Sequence, residues 1–147
     1  MKQNNPQYKF VEWSSPEELH QESLRWISQL EFTQDEQQFL NTLIKNHTLQ
    51  LISGPVYQRS LEVVSELSKE EKEVKRLLRG VRKHANALEI LLDGINQLEE
   101  ESRYKQVHFA LKIEVSRYEE NYMKTKREIF NIIKQILKQN KQKRITQ

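Results

Sequence analysis

The sequence predicts an all-α protein, an elongated antiparallel three-helix bundle of coiled-coil character. Three observations predict it. Only three glycines and three prolines interrupt 147 residues, so the elements are few and long. Apolar residues recur three and four positions apart in three successive stripes, the spacing that puts them on one side of a helix. The chain is 36% hydrophobic and 31% charged. That balance suits helices that bury one stripe and solvate the rest.

Residues 1–14 read as a lead-in whose Phe10, Val11 and Trp13 can pack against a helix end. Ser15-Pro16-Glu17-Glu18 then reads as a helix start. Ser15 serves as N-cap, Pro16 takes the first helical position, and Glu18 completes a capping box. The first stripe is Leu19, Ser23, Trp26, Ile27 and Leu30, resumed by Phe39, Leu40, Leu43, Ile44, His47, Leu51 and Ile52. Thr33-Gln34-Asp35-Glu36 repeats the capping-box pattern, so helix one (15–52) is either continuous or mildly kinked at Phe32.

Ser53-Gly54-Pro55 ends that helix, because Gly accepts the left-handed conformation past a C-terminus and Pro can open the next helix. The second stripe runs from Leu61 and Val64 through Leu67, Val74, Leu77, Leu78, Val81, Ala85, Leu88 and Leu91 to Leu92. Its period is near the bundle value of 3.5, and it defines a helix over 55–92. Asp93-Gly94-Ile95-Asn96 reads as the second turn. The third stripe runs from Tyr104, Val107, His108, Leu111 and Val115 through Tyr118 and Tyr122 to Ile129, Ile132, Ile133 and Ile136, giving a helix over 97–140. Residues 141–147 form a basic tail. The first two helices are equal in length, about 57 Å each at 1.5 Å per residue, and short turns lay such helices side by side. The expected core is Trp26, Leu40, Leu43, Leu77, Val81, Leu88, Leu111, Val115, Ile129 and Ile133. Phe10, Trp13, Phe32 and Phe109 are expected to remain partly uncovered, which favours at least a dimer.

Charge is separated along the chain. Residues 12–36 carry seven acids against Arg25 alone, and residues 124–147 carry eight bases against Glu128 alone, so the net charge of +3 conceals a dipolar chain. The absence of cysteine excludes disulfides, thiolate metal sites and a cysteine nucleophile. The polar N-terminus lacks the apolar run of a secretory signal, and no apolar run exceeds three residues, which excludes a spanning helix. The expected location is the cytoplasm.

Three groups of residues have chemical potential. His20, His84 and His108 fall within one third of the antiparallel bundle, with Glu17 and Glu101 nearby, and form a candidate metal or acid–base cluster. The plain alternative is three unrelated flank positions. Tyr118 and Tyr122 lie level with Gln37 and Glu71, where the first two stripes turn polar. They read as a polar mid-bundle layer that either fixes helix register or lines a ligand cavity. Lys134, Lys138 and Lys141 share one helical face that Lys143 and Arg144 extend, a patch able to meet phosphates or an anionic membrane. The same lysines also suit the negative end of a helix dipole. Gly-rich phosphate loops, nucleophile elbows and triad contexts are missing from the sequence.

The stripes and the caps at Ser15 and Pro55 resemble spectrin-repeat-type three-helix bundles over 15–140, which implies scaffolding or binding. The segment from Trp26 to Leu40 is similar to small bacterial all-helical proteins, a resemblance that implies a helical fold and brings no particular activity with it. The sequence therefore leads to a non-enzymatic interaction or scaffold module that binds a protein partner or itself, with no cofactor. The alternative is a binder of nucleic acid or membrane through its basic C-terminal end. A metal-dependent enzyme is the third class.

Overall fold

The structure, a computed structural model, describes residues 6–93 and 97–146. Five helices account for nearly all of them: α1 (Pro6–Trp13), α2 (Pro16–Asn46), α3 (Thr48–Ile52), α4 (Tyr57–Asp93) and α5 (Gln97–Thr146). Among the described residues there is no strand, and no helix is long and apolar enough to cross a membrane.

Local chemistry sets the helix ends. The lead-in is itself helical as α1, opened by Pro6. Ser14 closes α1 by donating its hydroxyl to the Phe10 carbonyl at 2.7 Å. Ser15 is the expected N-cap, accepting from the Glu18 amide at 3.2 Å. The Glu18 carboxylate turns back to the Ser15 hydroxyl at 3.2 Å rather than to its backbone amide, so the capping box is only half formed. Helix α2 then runs unbroken through Phe32 and Thr33. The interruption falls instead at His47, whose ring lies 2.9 Å from the Leu43 carbonyl. Next to it the Thr48 hydroxyl donates to the Lys45 carbonyl at 2.8 Å. Side chains that bond the preceding turn compete with the backbone ladder and break the helix there. Gly54 takes φ 88° in the following turn, a conformation glycine adopts without steric cost. Helix α4 begins at Tyr57 rather than Pro55. The expected turn at 93–96 lies, from Gly94 onward, outside the described residues.

The expected end of the last helix at 140 is too short, since α5 continues to Thr146. Residues 141–146 are its last turns rather than a tail. Lys, Gln and Arg propagate a helix well, and no breaker follows Asn140.

The chain divides into two compact units, Met1–Phe32 with Val74–Arg117, and Thr33–Glu73 with Tyr118–Gln147. In the first, α1 docks through Val11 onto Leu19, Leu88, Leu91, Tyr104 and Phe109. In the second, Ile44, Leu51, Val63, Ile129, Ile132 and Ile133 close around a void of only about 10 Å³. Within each unit, contacts between α2 and α5 ascend together. In the first unit Glu17 acts on Tyr104, while Glu22 meets Lys112. In the second unit Glu36 meets Lys126, and Ile44 lies with Ile129 and Ile133. Contacts between α4 and α5 run in opposite senses, from Arg59 with Glu128 to Glu70 with Thr125, and in the other unit from Arg76 with Glu114 to His84 with His108.

Eight of the ten expected core residues are buried, whereas Leu43 and Leu111 are half-buried. The stripes are corrected at Phe39, Ile52, Leu61, Val64 and Val107, which are exposed. At the start of α4 the buried line is Val56, Ser60, Val63 and Leu67, while Leu61 and Val64 face outward. Ser60 is tolerated inside because its hydroxyl donates to the Val56 carbonyl at 2.7 Å, and its polarity concealed the true register. Phe109, expected to be uncovered, is buried against α1, where Tyr8 meets it edge-on at 5.2 Å.

Gly80 sits in the interior of α4, with Leu111 as its neighbour across the first unit. A Cβ placed there would lie 3.8 Å from the Leu111 side chain, an ordinary contact. Gly80→Ala is therefore expected to stabilise the protein by about 0.5–1 kcal/mol, the helix-propensity difference. Chemical denaturation would show this as a raised midpoint at unchanged slope.

Candidate functional site

The first unit carries a line of buried polar rings. His84 on α4 and His108 on α5 are 4% and 0% exposed. His108 Nε2 lies 2.7 Å from a Glu22 carboxylate oxygen, and His84 Nε2 lies 2.9 Å from His108 Nδ1. With both rings neutral, the carboxylate requires the proton on His108 Nε2. His108 Nδ1 then accepts, and His84 Nε2–H donates. Lys112 approaches the second Glu22 oxygen at 3.4 Å. Trp26 stacks on His108 at 4.6 Å and Tyr104 stacks on His84 at 4.3 Å.

Burial holds this line in its neutral form. Desolvation, followed by the fields of His108 and His20, pushes His84 down from 6.5 to about 4. Desolvation also lowers His108, opposed by its bond to Glu22. Burial raises the Tyr104 phenol to about 12. Its hydroxyl faces Ser23 but makes no hydrogen bond of good geometry. His84 and Tyr104 also line an open groove of about 500 Å³ with Ala87, Leu91, Glu100 and Val107.

The expected histidine cluster is thus partly assembled and partly corrected. His84 and His108 meet, and His20 is near enough for its charge to oppose that of His84. Glu17 is exposed and acts on the Tyr104 phenol. The carboxylate that joins the histidines is Glu22. Among the described residues no group of three or more histidines and carboxylates is arranged to hold a metal ion. His84 Nε2 and both His108 nitrogens are already engaged in hydrogen bonds.

The tyrosine layer forms in the second unit. Gln37 donates to the Tyr118 hydroxyl at 2.9 Å, and that hydroxyl donates to the Glu70 carbonyl at 2.8 Å. Tyr122 donates to Glu36 at 2.8 Å, and Lys126 pairs with the same carboxylate oxygen at 3.0 Å. Thr125 donates to Glu70 Oε2 at 2.9 Å. The Glu70 side chain is buried, and its second oxygen has no partner. Burial first, then repulsion from Glu66 and Glu73, pushes Glu70 up from 4.5 to about 7. Glu71, the carboxylate expected in the layer, is only half-buried beside it. Burial also raises the Tyr118 and Tyr122 phenols. The layer's polar atoms are bonded chiefly to one another, Glu70 Oε1 excepted.

Sequence reasoning missed Glu22, Glu36, Glu70 and Thr125. Glu70 left a readable signal, since Leu67, Glu70 and Val74 keep the stripe's spacing of three and four. On α5, Lys134, Lys138 and Lys141 are exposed. Lys143 and Arg144 lie in the last turns of the helix, and their side chains are outside the description. No protein-family model, no curated protein and no solved structure matches this chain.

Proposed function

We propose that this chain is a non-enzymatic helical interaction module that binds a protein partner or a second copy of itself, with α2, α4 and α5 laid out as one antiparallel three-helix bundle. One observation carries the reading: apolar side chains stand in lines outside the core. Tyr57, Leu61 and Val64 follow spacings of four and three on the outer side of α4, each 38–48% exposed. Met123, Phe130 and Leu137 recur every seven residues on α5, each 39–52% exposed. Scattered surface apolar residues are ordinary, but aligned ones mark a surface that a second body covers. The matched contact registers of α2, α4 and α5 within each unit support the bundle layout.

The test pairs sedimentation with affinity capture. Either a dimer at high micromolar concentration or a stoichiometric protein partner from the native cell is expected. It should be lost when Leu61 and Val64, or Phe130 and Leu137, are replaced by Ser at an unchanged unfolding midpoint. A protein that stays monomeric and retains no partner sinks the reading. The exposed Lys134, Lys138 and Lys141 favour one second reading, a polyanion binder. It requires retention on heparin or DNA that falls steeply between about 50 and 200 mM salt and is lost on deleting residues 139–147.

A further inference from the structure

The outer side of α5 carries a second pattern, distinct from its buried stripe. Met123, Arg127, Phe130, Lys134, Leu137 and Lys141 follow one another at spacings of four, three, four, three and four. Eighteen residues make five helical turns, so Lys141 returns to the azimuth of Met123 and all six positions fall on one side of the helix. Met123, Phe130 and Leu137 are 52%, 39% and 52% exposed, and Arg127, Lys134 and Lys141 are exposed between them. The line is a heptad seam in which one position is always apolar and the other always cationic.

The seam borders a groove. Lys126 on α5 reaches across to Glu36 on α2 at 3.0 Å. Phe39 is three residues beyond Glu36 and 57% exposed. Met123 and Phe130 lie three before and four after Lys126. Side chains three and four apart on a helix are neighbours, so Phe39 stands on one bank of the α2–α5 groove and Met123 and Phe130 stand on the other. The only acid in α5 beyond Met123 is Glu128, and it is paired with Arg59 on α4 at 2.7 Å. Among the described residues, Arg127, Lys134 and Lys141 form no ion pair and present their positive charge between the apolar positions.

We propose that this seam docks a partner helix bearing apolar and acidic residues alternately at the same spacings, as a fourth helix along the α2–α5 groove. The inference rests on the interaction-module reading and adds the place and the partner's chemistry. Apolar knobs every seven residues suit knobs-into-holes packing, and the intervening cations select carboxylates and set orientation. A membrane surface fits less well. Arg127 and Lys134 lie in the same line as the apolar residues, whereas interfacial helices separate an apolar face from a charged one. A phosphate backbone would match the cations but leave Met123, Phe130 and Leu137 unused.

The test uses the full chain and a synthetic 21-residue helical peptide with Leu and Glu alternating at spacings of three and four. A second peptide carries Lys in place of Glu. We expect the Glu peptide to bind in fluorescence anisotropy and the Lys peptide not to bind. Phe130→Ser with Leu137→Ser should weaken binding at least tenfold. Arg127→Glu with Lys134→Glu should do the same and should gain affinity for the Lys peptide, a swap that general stickiness does not produce. These positions are exposed, and circular dichroism should show unchanged unfolding midpoints. Glu-peptide binding that both double variants retain would overturn the seam as the site while leaving the module reading intact. Failure of the Glu peptide to bind the parent chain would overturn the inference alone, because capture of a partner or a dimer tests the module separately. Binding of phosphatidylserine vesicles or a DNA duplex that the variants lose, with no peptide binding, would replace it with a lipid or nucleic-acid surface.

Discussion

Glu70→Gln is expected to gain about 3 kcal/mol of stability over the parent protein between pH 4 and pH 8. Burial raises the Glu70 carboxyl from 4.5 to about 7. The folded state holds the proton more tightly than the unfolded chain does. Its contribution is therefore fully present below pH 4.5 and is lost as pH rises through 7. A displacement of 4.5 to about 7 corresponds to roughly 3 kcal/mol at 1.36 kcal/mol per unit. Gln keeps the shape and an acceptor for Thr125, but it has no proton to lose. Near pH 4, where both side chains are neutral, the two proteins should be nearly equal. At pH 8 the parent carries a buried carboxylate with one unpartnered oxygen, and the variant does not. Urea unfolding at a series of pH values measures the difference directly, and other carboxylates cancel from it. A difference that stays constant across the range would show that Glu70 ionises in the folded state as freely as in water.

His108→Ala is expected to cost about 3–5 kcal/mol, the range for removing a large, fully buried ring. The loss has three parts. A cavity opens beneath Trp26, Glu22 loses one of its two donors and keeps only Lys112, and His84 loses its acceptor. Buried polar groups left unsatisfied add to the transfer and cavity terms. Histidine linkage runs opposite in sign to that of Glu70. His84 is lowered to about 4, so its contribution is complete above pH 6.5 and is lost as pH falls toward 4, again by roughly 3 kcal/mol. The lowered His108 acts in the same direction. Between about pH 4.5 and 6.5 the histidine and Glu70 effects oppose each other, so stability should rise with pH less steeply in the parent than in Glu70→Gln. In Glu70→Gln the Glu70 opposition is gone, leaving only that of Glu119, whose carboxyl burial also raises, and stability should climb more steeply toward pH 6.5. An acid-insensitive Glu70→Gln protein would mean that His84 is protonated in the folded state.

The chemistry of these two sites explains why they were only half legible. The tyrosine layer could be read because Tyr118 and Tyr122 sit on an apolar stripe, and a phenol inside a core needs a partner. Gln37 was found with it because the first stripe turns polar at the same height. The choice of Glu70 over Glu71 turns on about 100° of rotation about α4, which no local preference encodes. The histidines were placed near one another by counting residues along the helices. Their carboxylate partner was misassigned to Glu17, because height along a helix says nothing about azimuth. Glu22 lies four residues before Trp26, on the side that faces α5, and only the packing of α2 against α5 makes that side inward.

The sequence by itself determined the helical class and the N-cap at Ser15. It also determined the turn at Gly54 and most of the core, because each follows from backbone preference or from the period of one helix. The tertiary structure alone decided the rest. It turned α4 so that Ser60 and Val63 point inward instead of Leu61 and Val64, covered Phe109 with α1, joined Glu22 to the histidines, and left the apolar and cationic seam of α5 facing out. Each of these depends on how one helix is rotated against its neighbours. That rotation is set by the summed burial of many side chains at once, and no single stretch of sequence contains it.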